Sequence, residues 1–276
     1  MKKRTILLLL CVLLCCSACA SADVTPSATG STQLTEAAKP TDPTAAPTVE
    51  PTQPTQEPTQ APTQVPTEPA HSPLYIEGVS VEDVILYFNE VCLDAEYVNG
   101  GDASRVQKWM YPIYYSIDGQ WTEYDMEVFR GFTAWLNTIE GFPGIYASEN
   151  ALLTNLSIHF CTSSELVGIM GDQFAGADGG VTFWYADDII YNAVICYSTD
   201  PFQIVRNSVI LEEIYNGLGL AQDTSLRPDS IIYSQYSETQ KLSAVDELLL
   251  KLLYHPDIRC GMNAAECEAV IRSLYY

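Results

Sequence analysis

The chain has 276 residues, with 13 basic side chains against 35 acidic ones and a formal charge of −22. That balance excludes a sequence-independent nucleic-acid binder, which needs a basic face to displace counterions from phosphate. An apolar share of 47% excludes disorder throughout, and a charged share of 17% is too low for a coiled coil. No apolar run reaches the ~18 residues of a membrane-spanning helix.

In chain order, the first segment reads as an address. Lys2, Lys3 and Arg4 form a basic start, Ile6 to Leu14 an apolar stretch, and Cys16-Ser17-Ala18-Cys19 a small-residue end. This is the anatomy of a secretory signal. The end resembles a bacterial lipobox, with residues 1–19 as lipoprotein signal peptide and Cys19 as the acylated residue. Cys16 departs from the usual leucine, and a plain signal cleaved around Ala20 to Ala22 is the alternative. Removing the three basic residues leaves a charge of −25, so lipid on Cys19 and not electrostatics would hold the chain at an anionic bilayer.

Residues 20–73 read as a disordered Pro/Thr-rich stalk. Eleven of the sixteen prolines precede residue 74, and Pro-Thr recurs eight times between Pro40 and Thr67. Proline at that density fixes φ and removes backbone donors, and no hydrophobic period survives to build a core. An extended stalk with a contour of up to about 140 Å follows at about 3.1 Å per residue. Anchor and stalk together predict a place on the extracellular face of a bacterial membrane.

Residues 74–276 suffice for one domain with a sizeable core. Ser80 with Asp83, Thr122 with Asp125, Ser243 with Asp246 and Asn263 with Glu266 mark helix starts of the capping-box type. Asp200-Pro201 predicts a further N-cap, ahead of Val205, Val209, Ile210 and Ile214. Strands are predicted at Pro112 to Ile117, Leu156 to Phe160, Val181 to Tyr185 and Ile189 to Tyr197. Helices interspersed with these strands, and a helical C-terminal third, predict an α+β fold rather than regular βαβ winding. Cys92, Cys161 and Cys196 read as small core residues, and Cys260 with Cys267 as a possible loop-closing pair.

The informative stretch is Val209-Ile210-Leu211-Glu212-Glu213-Ile214-Tyr215-Asn216-Gly217-Leu218-Gly219-Leu220-Ala221-Gln222. Ser230-Ile231-Ile232-Tyr233, Leu242-Ser243-Ala244-Val245-Asp246 and Leu253-Tyr254 follow it. Together these resemble the zincin metallopeptidases, the metzincin branch above all, whose pattern is H-E-x-x-H-x-x-G-x-x-H, a turn, then L-S-x-x-D. The resemblance implies a zincin-like single domain, with a small mixed sheet packed on long helices. It puts Glu212, Asn216 and Gln222 at the three metal-ligand positions, Glu213 at the general-base position and Gly219 at the helix break. Zinc prefers imidazole and thiolate, and amide oxygens are poor substitutes. Without the ion, Glu213 has no acidified water to serve. Of the three histidines, only His159, on a predicted strand, is placed to point inward.

Glu212-Glu213, Leu218-Gly219-Leu220, Ser230-Ile231, Leu242, Asp246, Leu248-Leu249-Leu250, Leu253-Tyr254 and Gly261-Met262 are also similar to the bacterial lipoprotein family called domain of unknown function 2927. Asn216 and Tyr233 are departures from its pattern. That resemblance implies a zincin-like fold without zinc histidines and no known activity. The expectation is a non-catalytic domain, with no metal or cofactor, that binds a peptide or cell-wall ligand in the former cleft. Its other partner is the lipid bilayer, through Cys19. Two alternatives stay open. One is a hydrolase using Glu212, Glu213 and Asp223 with a non-zinc cation such as Ca²⁺, Mg²⁺ or Mn²⁺, or with no metal. The other is a structural interaction domain. For Glu212-Glu213, a solvated helix face competes with a place in a cleft.

Overall fold

A computed structural model describes residues 72–93, 105–235 and 239–276. The signal, Cys19, His71 and the Pro/Thr-rich stretch through residue 71 lie outside the described residues. The elements in chain order are α1 (Val81–Leu93), β1 (Lys108–Trp109), β2 (Ile113–Gly119), α2 (Glu123–Leu136), β3 (Ile145–Ala147), β4 (Leu156–Cys161) and α3 (Ser163–Met170). A short 3₁₀ turn follows at Asp172–Phe174, then β5 (Gly179–Ala186), β6 (Ile189–Ser198), α4 (Gln203–Gly217), α5 (Ala244–Leu253) and α6 (Ala264–Tyr275).

The result is a mixed α/β fold, as helices interspersed with strands predict, but the pairing differs from the expectation. The sheet runs β1-β6-β4-β2-β3 in parallel throughout, with β5 antiparallel on β6. Parallel neighbours need crossovers, and α2 supplies the one between β2 and β3. β5 and β6 instead form a hairpin whose Asp187 and Asp188 take φ of 50° and 62°, the left-handed pair that a tight two-residue turn requires.

Alternation along the strands splits the sheet into two faces. Ile158, Phe160, Val181, Phe183, Ile195 and Tyr197 join the main core with α1, α2, α4, α5 and α6. Cys161, Val194 and Cys196 point the other way, into a small cluster roofed by Leu166 and Met170 of α3 with Phe174 and Ala177.

The helix ends show why these segments stop where they do. Thr122, Ser243 and Asn263 each form a full capping box, with Asp125, Asp246 and Glu266 respectively. Thr162 and Glu165 form another at the start of α3. The predicted N-cap at Asp200 is corrected. α4 begins at Gln203 with no side-chain cap, and the Asp200 carboxylate accepts from the Ser163 N–H at 2.9 Å, serving α3 instead.

Candidate functional site

Helix α4 is enclosed on every side over its second half, with Ser208 through Leu220 all buried. Two contacts orient it. A β-carbon at Gly179, the first residue of β5, would stand 2.4 Å from Val209 Cγ1 and 2.9 Å from Glu213 Oε1. One at Gly217 would stand 3.3 Å from Val181 Cγ2. Val209, Glu213 and Gly217 recur every four residues and so form one stripe, laid against β5.

Glu213 therefore faces the sheet. Burial, then the Glu213 charge, push the Tyr197 phenol well above its ordinary range. Burial also pushes the Cys196 thiol up, with Cys161 and then Glu213 adding to it. Glu212 and Asn216, four apart, share the neighbouring stripe. Exposure is 7% at Glu212, 3% at Glu213 and 3% at Asn216, so the solvated-face reading of the acid pair does not hold. The Asn216 Oδ1 is buried with no hydrogen-bond partner among the described residues. Buried amide oxygens are ordinarily paired.

α4 ends where the chain must turn. Leu218 caps it, Trp109 Nε1 donates to the Gly217 carbonyl at 2.9 Å, and the Tyr254 hydroxyl donates to Leu218 O at 2.9 Å. Gly219 follows at φ +106°, and a β-carbon there would stand 2.1 Å from the Gln107 carbonyl oxygen. Only glycine fits both the angle and the approach.

Beyond this turn the chain is pinned to α1. The Gln222 N–H donates to Val91 O at 3.3 Å, and Glu90 accepts from the Thr224 hydroxyl and from the Ser225 N–H. Glu212, Glu213 and Asn216 thus lie within little more than one helical turn. Gln222 and the partly buried Asp223 sit past the break, beside the end of α1. The Ser230–Tyr233 turn then closes on Thr224 through Thr224 N–H to Ile232 O at 2.9 Å.

The described histidines lie elsewhere. His159 alternates with the core residues Ile158 and Phe160, and so faces away from α4. Its Nδ1 meets Asp118 Oδ1 at 2.6 Å, so the expectation that it points inward is corrected. His255 follows α5 and pairs with Asp257. All five described cysteines are free thiols, so no bond joins Cys260 to Cys267.

Three buried arrangements supporting this region were not foreseen. Asp246 Oδ1 accepts from the Tyr87 and Ser230 hydroxyls, each at 2.7 Å, while Oδ2 accepts from the Ile231 and Ser243 N–H groups at 3.1 and 2.9 Å. Asp125, also buried, pairs with Arg206 and accepts from Gln203 Nε2, tying α2 to the start of α4. Lys108 Nζ donates to the carbonyls of Leu253 and Ile258. Arg206 is the one basic residue in α4. A lone charge amid apolar positions was the signal that could have revealed its ion pair.

Fold and site define a class: a mixed α/β domain with a mostly parallel sheet, whose enclosed central helix carries two adjacent carboxylates before a glycine break. Residues 82–273, well over half of the chain, match the model of the family described as Protein of unknown function (DUF2927). The chain belongs to that family. No curated protein matches it.

Proposed function

We propose that the protein is a lipoprotein anchored through Cys19 on the extracellular face of a bacterial membrane. Its zincin-like domain is non-catalytic and holds a peptide or cell-wall ligand at the former active site. The observation that supports this most is the donor set on α4. Glu212, Glu213 and Asn216 are all buried within little more than one helical turn before the Gly219 break, and the Asn216 Oδ1 has no hydrogen-bond partner among the described residues. A buried acceptor without a donor is a costly feature for a purely structural helix, and a ligand N–H would satisfy it.

The same donors favour one alternative. Two carboxylates and an amide oxygen suit a hard cation better than zinc, which would turn the site toward hydrolysis. Metal analysis of the purified secreted protein, with Ca²⁺, Mn²⁺ and Zn²⁺ titrations and a peptide-cleavage screen, separates the two. The binding reading expects no stoichiometric metal, no turnover, and retention on wall material or immobilised peptides that Asn216→Ala weakens. Stoichiometric metal, or cleavage abolished by Glu213→Ala, overturns it. Anchoring is checked by Cys19→Ala, which should release the protein from membranes.

A further inference from the structure

Among the described residues, the sheet face turned away from α4 is covered at one end alone. Leu166 and Met170 of α3, with Phe174 and Ala177, lie over Cys161 and Cys196. A β-carbon at Gly180 would meet the Phe174 ring at 2.5 Å. A mostly parallel sheet ordinarily carries helices on both faces. Here the other half of that face is left to solvent, with Ser116, Asp118, Tyr146 and Asn192 exposed.

The register sets aromatic rings along its far row. Tyr114 pairs with Tyr146 across β2 and β3, and Trp184 with Asn192 across β5 and β6. Tyr115, Leu156 and Ala193 stand level across β2, β4 and β6, so Tyr114 and Asn192 share the preceding row. Tyr146, Tyr114, Asn192 and Trp184 thus form one line across β3-β2-β4-β6-β5, about 19 Å long at about 4.8 Å per strand gap. The Tyr114 and Tyr146 ring centroids lie 6.3 Å apart. The next row carries Ser116, Ser157 and Thr182. Beyond it comes the Asp118–His159 pair, whose 2.6 Å contact engages Nδ1 and leaves Nε2 for another partner. A carboxylate at one imidazole nitrogen fixes the ring and the role of the other nitrogen.

The strands β2 to β6 hold no lysine or arginine, and Asp118 is their one carboxylate. A polyanion would meet no cation there, and it would be repelled by a chain at −22. Flat rings interleaved with hydroxyls and an amide match a ligand with apolar C–H faces and a rim of hydroxyl groups. We propose that this open sheet face binds a neutral glycan chain. Its sugar rings stack on Tyr114, Tyr146 and Trp184, and its hydroxyls bond to Asn192, Ser157 and His159 Nε2. The face lies across the sheet from α4, so it stands or falls apart from the use made of Glu212, Glu213 and Asn216.

The test is affinity electrophoresis of the purified protein in native gels. Hydroxyethyl cellulose and glycol chitin are cast in separate gels as neutral glycans, and polygalacturonate in a third as the anionic control. The neutral glycans should retard the protein, and polygalacturonate should not. Trp184→Ala and Tyr114→Ala should each weaken the retardation about tenfold, as loss of an aromatic anchor does. Ser116→Arg, at an exposed position, should block it with the melting midpoint unchanged, which covers the case in which an aromatic truncation unfolds the sheet. Asn216→Ala should bind glycan like the parent. No retardation in either neutral gel overturns the proposal, as does retardation by polygalacturonate alone. Retardation lost in Asn216→Ala but kept in Trp184→Ala puts the ligand at α4 and also overturns it. So does a dimer in sedimentation that Trp184→Ala dissolves, since a second copy then covers the face.

Discussion

Replacing Asp246 with alanine removes an acceptor that four donors share. The Ser243 capping box loses its reciprocal half, Ser243 N–H to Asp246 Oδ2, while the backbone N–H of residue 246 keeps its bond to the Ser243 hydroxyl. The Ile231 N–H is left buried without a partner. The Tyr87 and Ser230 hydroxyls, 2.7 Å apart, can satisfy only one of their two protons between them. Two stranded donors cost about 1–3 kcal/mol each. The sum is about 4 kcal/mol, a large part of the 5–15 kcal/mol typical of a whole domain. Urea denaturation followed by circular dichroism should show the midpoint falling with an unchanged slope. Ser243→Ala, which removes only the cap, should lose about 1 kcal/mol. In a double-mutant cycle, Tyr87→Phe should cost far less in the Asp246→Ala background than alone, because the shared acceptor is already gone. If Asp246→Ala loses less than about 1.5 kcal/mol, or the two changes add, the carboxylate does not tie α1, the Ser230 turn and α5 together.

Asp125→Ala strands the Arg206 guanidinium, whose side chain is only 10% exposed, and should lower stability by about 3–5 kcal/mol in the same urea assay. Gly219→Ala meets both the positive φ and the Gln107 carbonyl, so it should cost about 3 kcal/mol or prevent folding, as measured by soluble yield and melting. Alkali should destabilise the protein from about pH 9. Burial holds the thiols of Cys92, Cys196 and Cys267 and the phenols of Tyr197 and Tyr215 above their ordinary values near 9 and 10. The folded state then keeps protons that the unfolded chain has lost, and each such group removes about 1.4 kcal/mol per pH unit. Lys108 works the other way: burial pushes it down to about 8, so it adds stability as pH rises from there toward 10.5. A single lysine is outnumbered, and a melting midpoint that stays level between pH 9 and 11 would count against the burial of these groups.

What the sequence made legible was local. Capping boxes at Thr122, Ser243 and Asn263 depend on residues three apart, and each is found as predicted. The four predicted strands correspond to β2, β4, β5 and β6. β1 spans two residues and β3 three, too short to display a period. The parallel register was illegible because it joins strands that meet only across long connections, through α2 from β2 to β3 and through α3 and β5 from β4 to β6. Asp200 misled for a related reason: it serves a helix 37 residues earlier in the chain. At the site, the glycine break was readable, since Gly219 answers to a backbone angle. The burial of Glu212 and Glu213 was not, because two adjacent acids in a chain with 35 of them look like a solvated face until the surrounding elements are in place.

That burial bears on whether the acid pair serves the fold or a ligand. A chain this acidic has ample surface for its carboxylates, and taking one out of water costs several kcal/mol that good pairing only partly offsets. Glu213 is wedged between α4 and Gly179 at the head of β5, where its charge also acts on Tyr197 and Cys196. A neutral side chain of the same shape would fill that space without the desolvation cost. If the carboxylate is held for a ligand, Glu213→Gln should leave the urea midpoint equal or raise it, while retention on wall material or immobilised peptides falls. If the carboxylate is a structural partner, the same change should lose more than about 2 kcal/mol and disturb β5 and β6 together, visible as faster amide exchange along both strands.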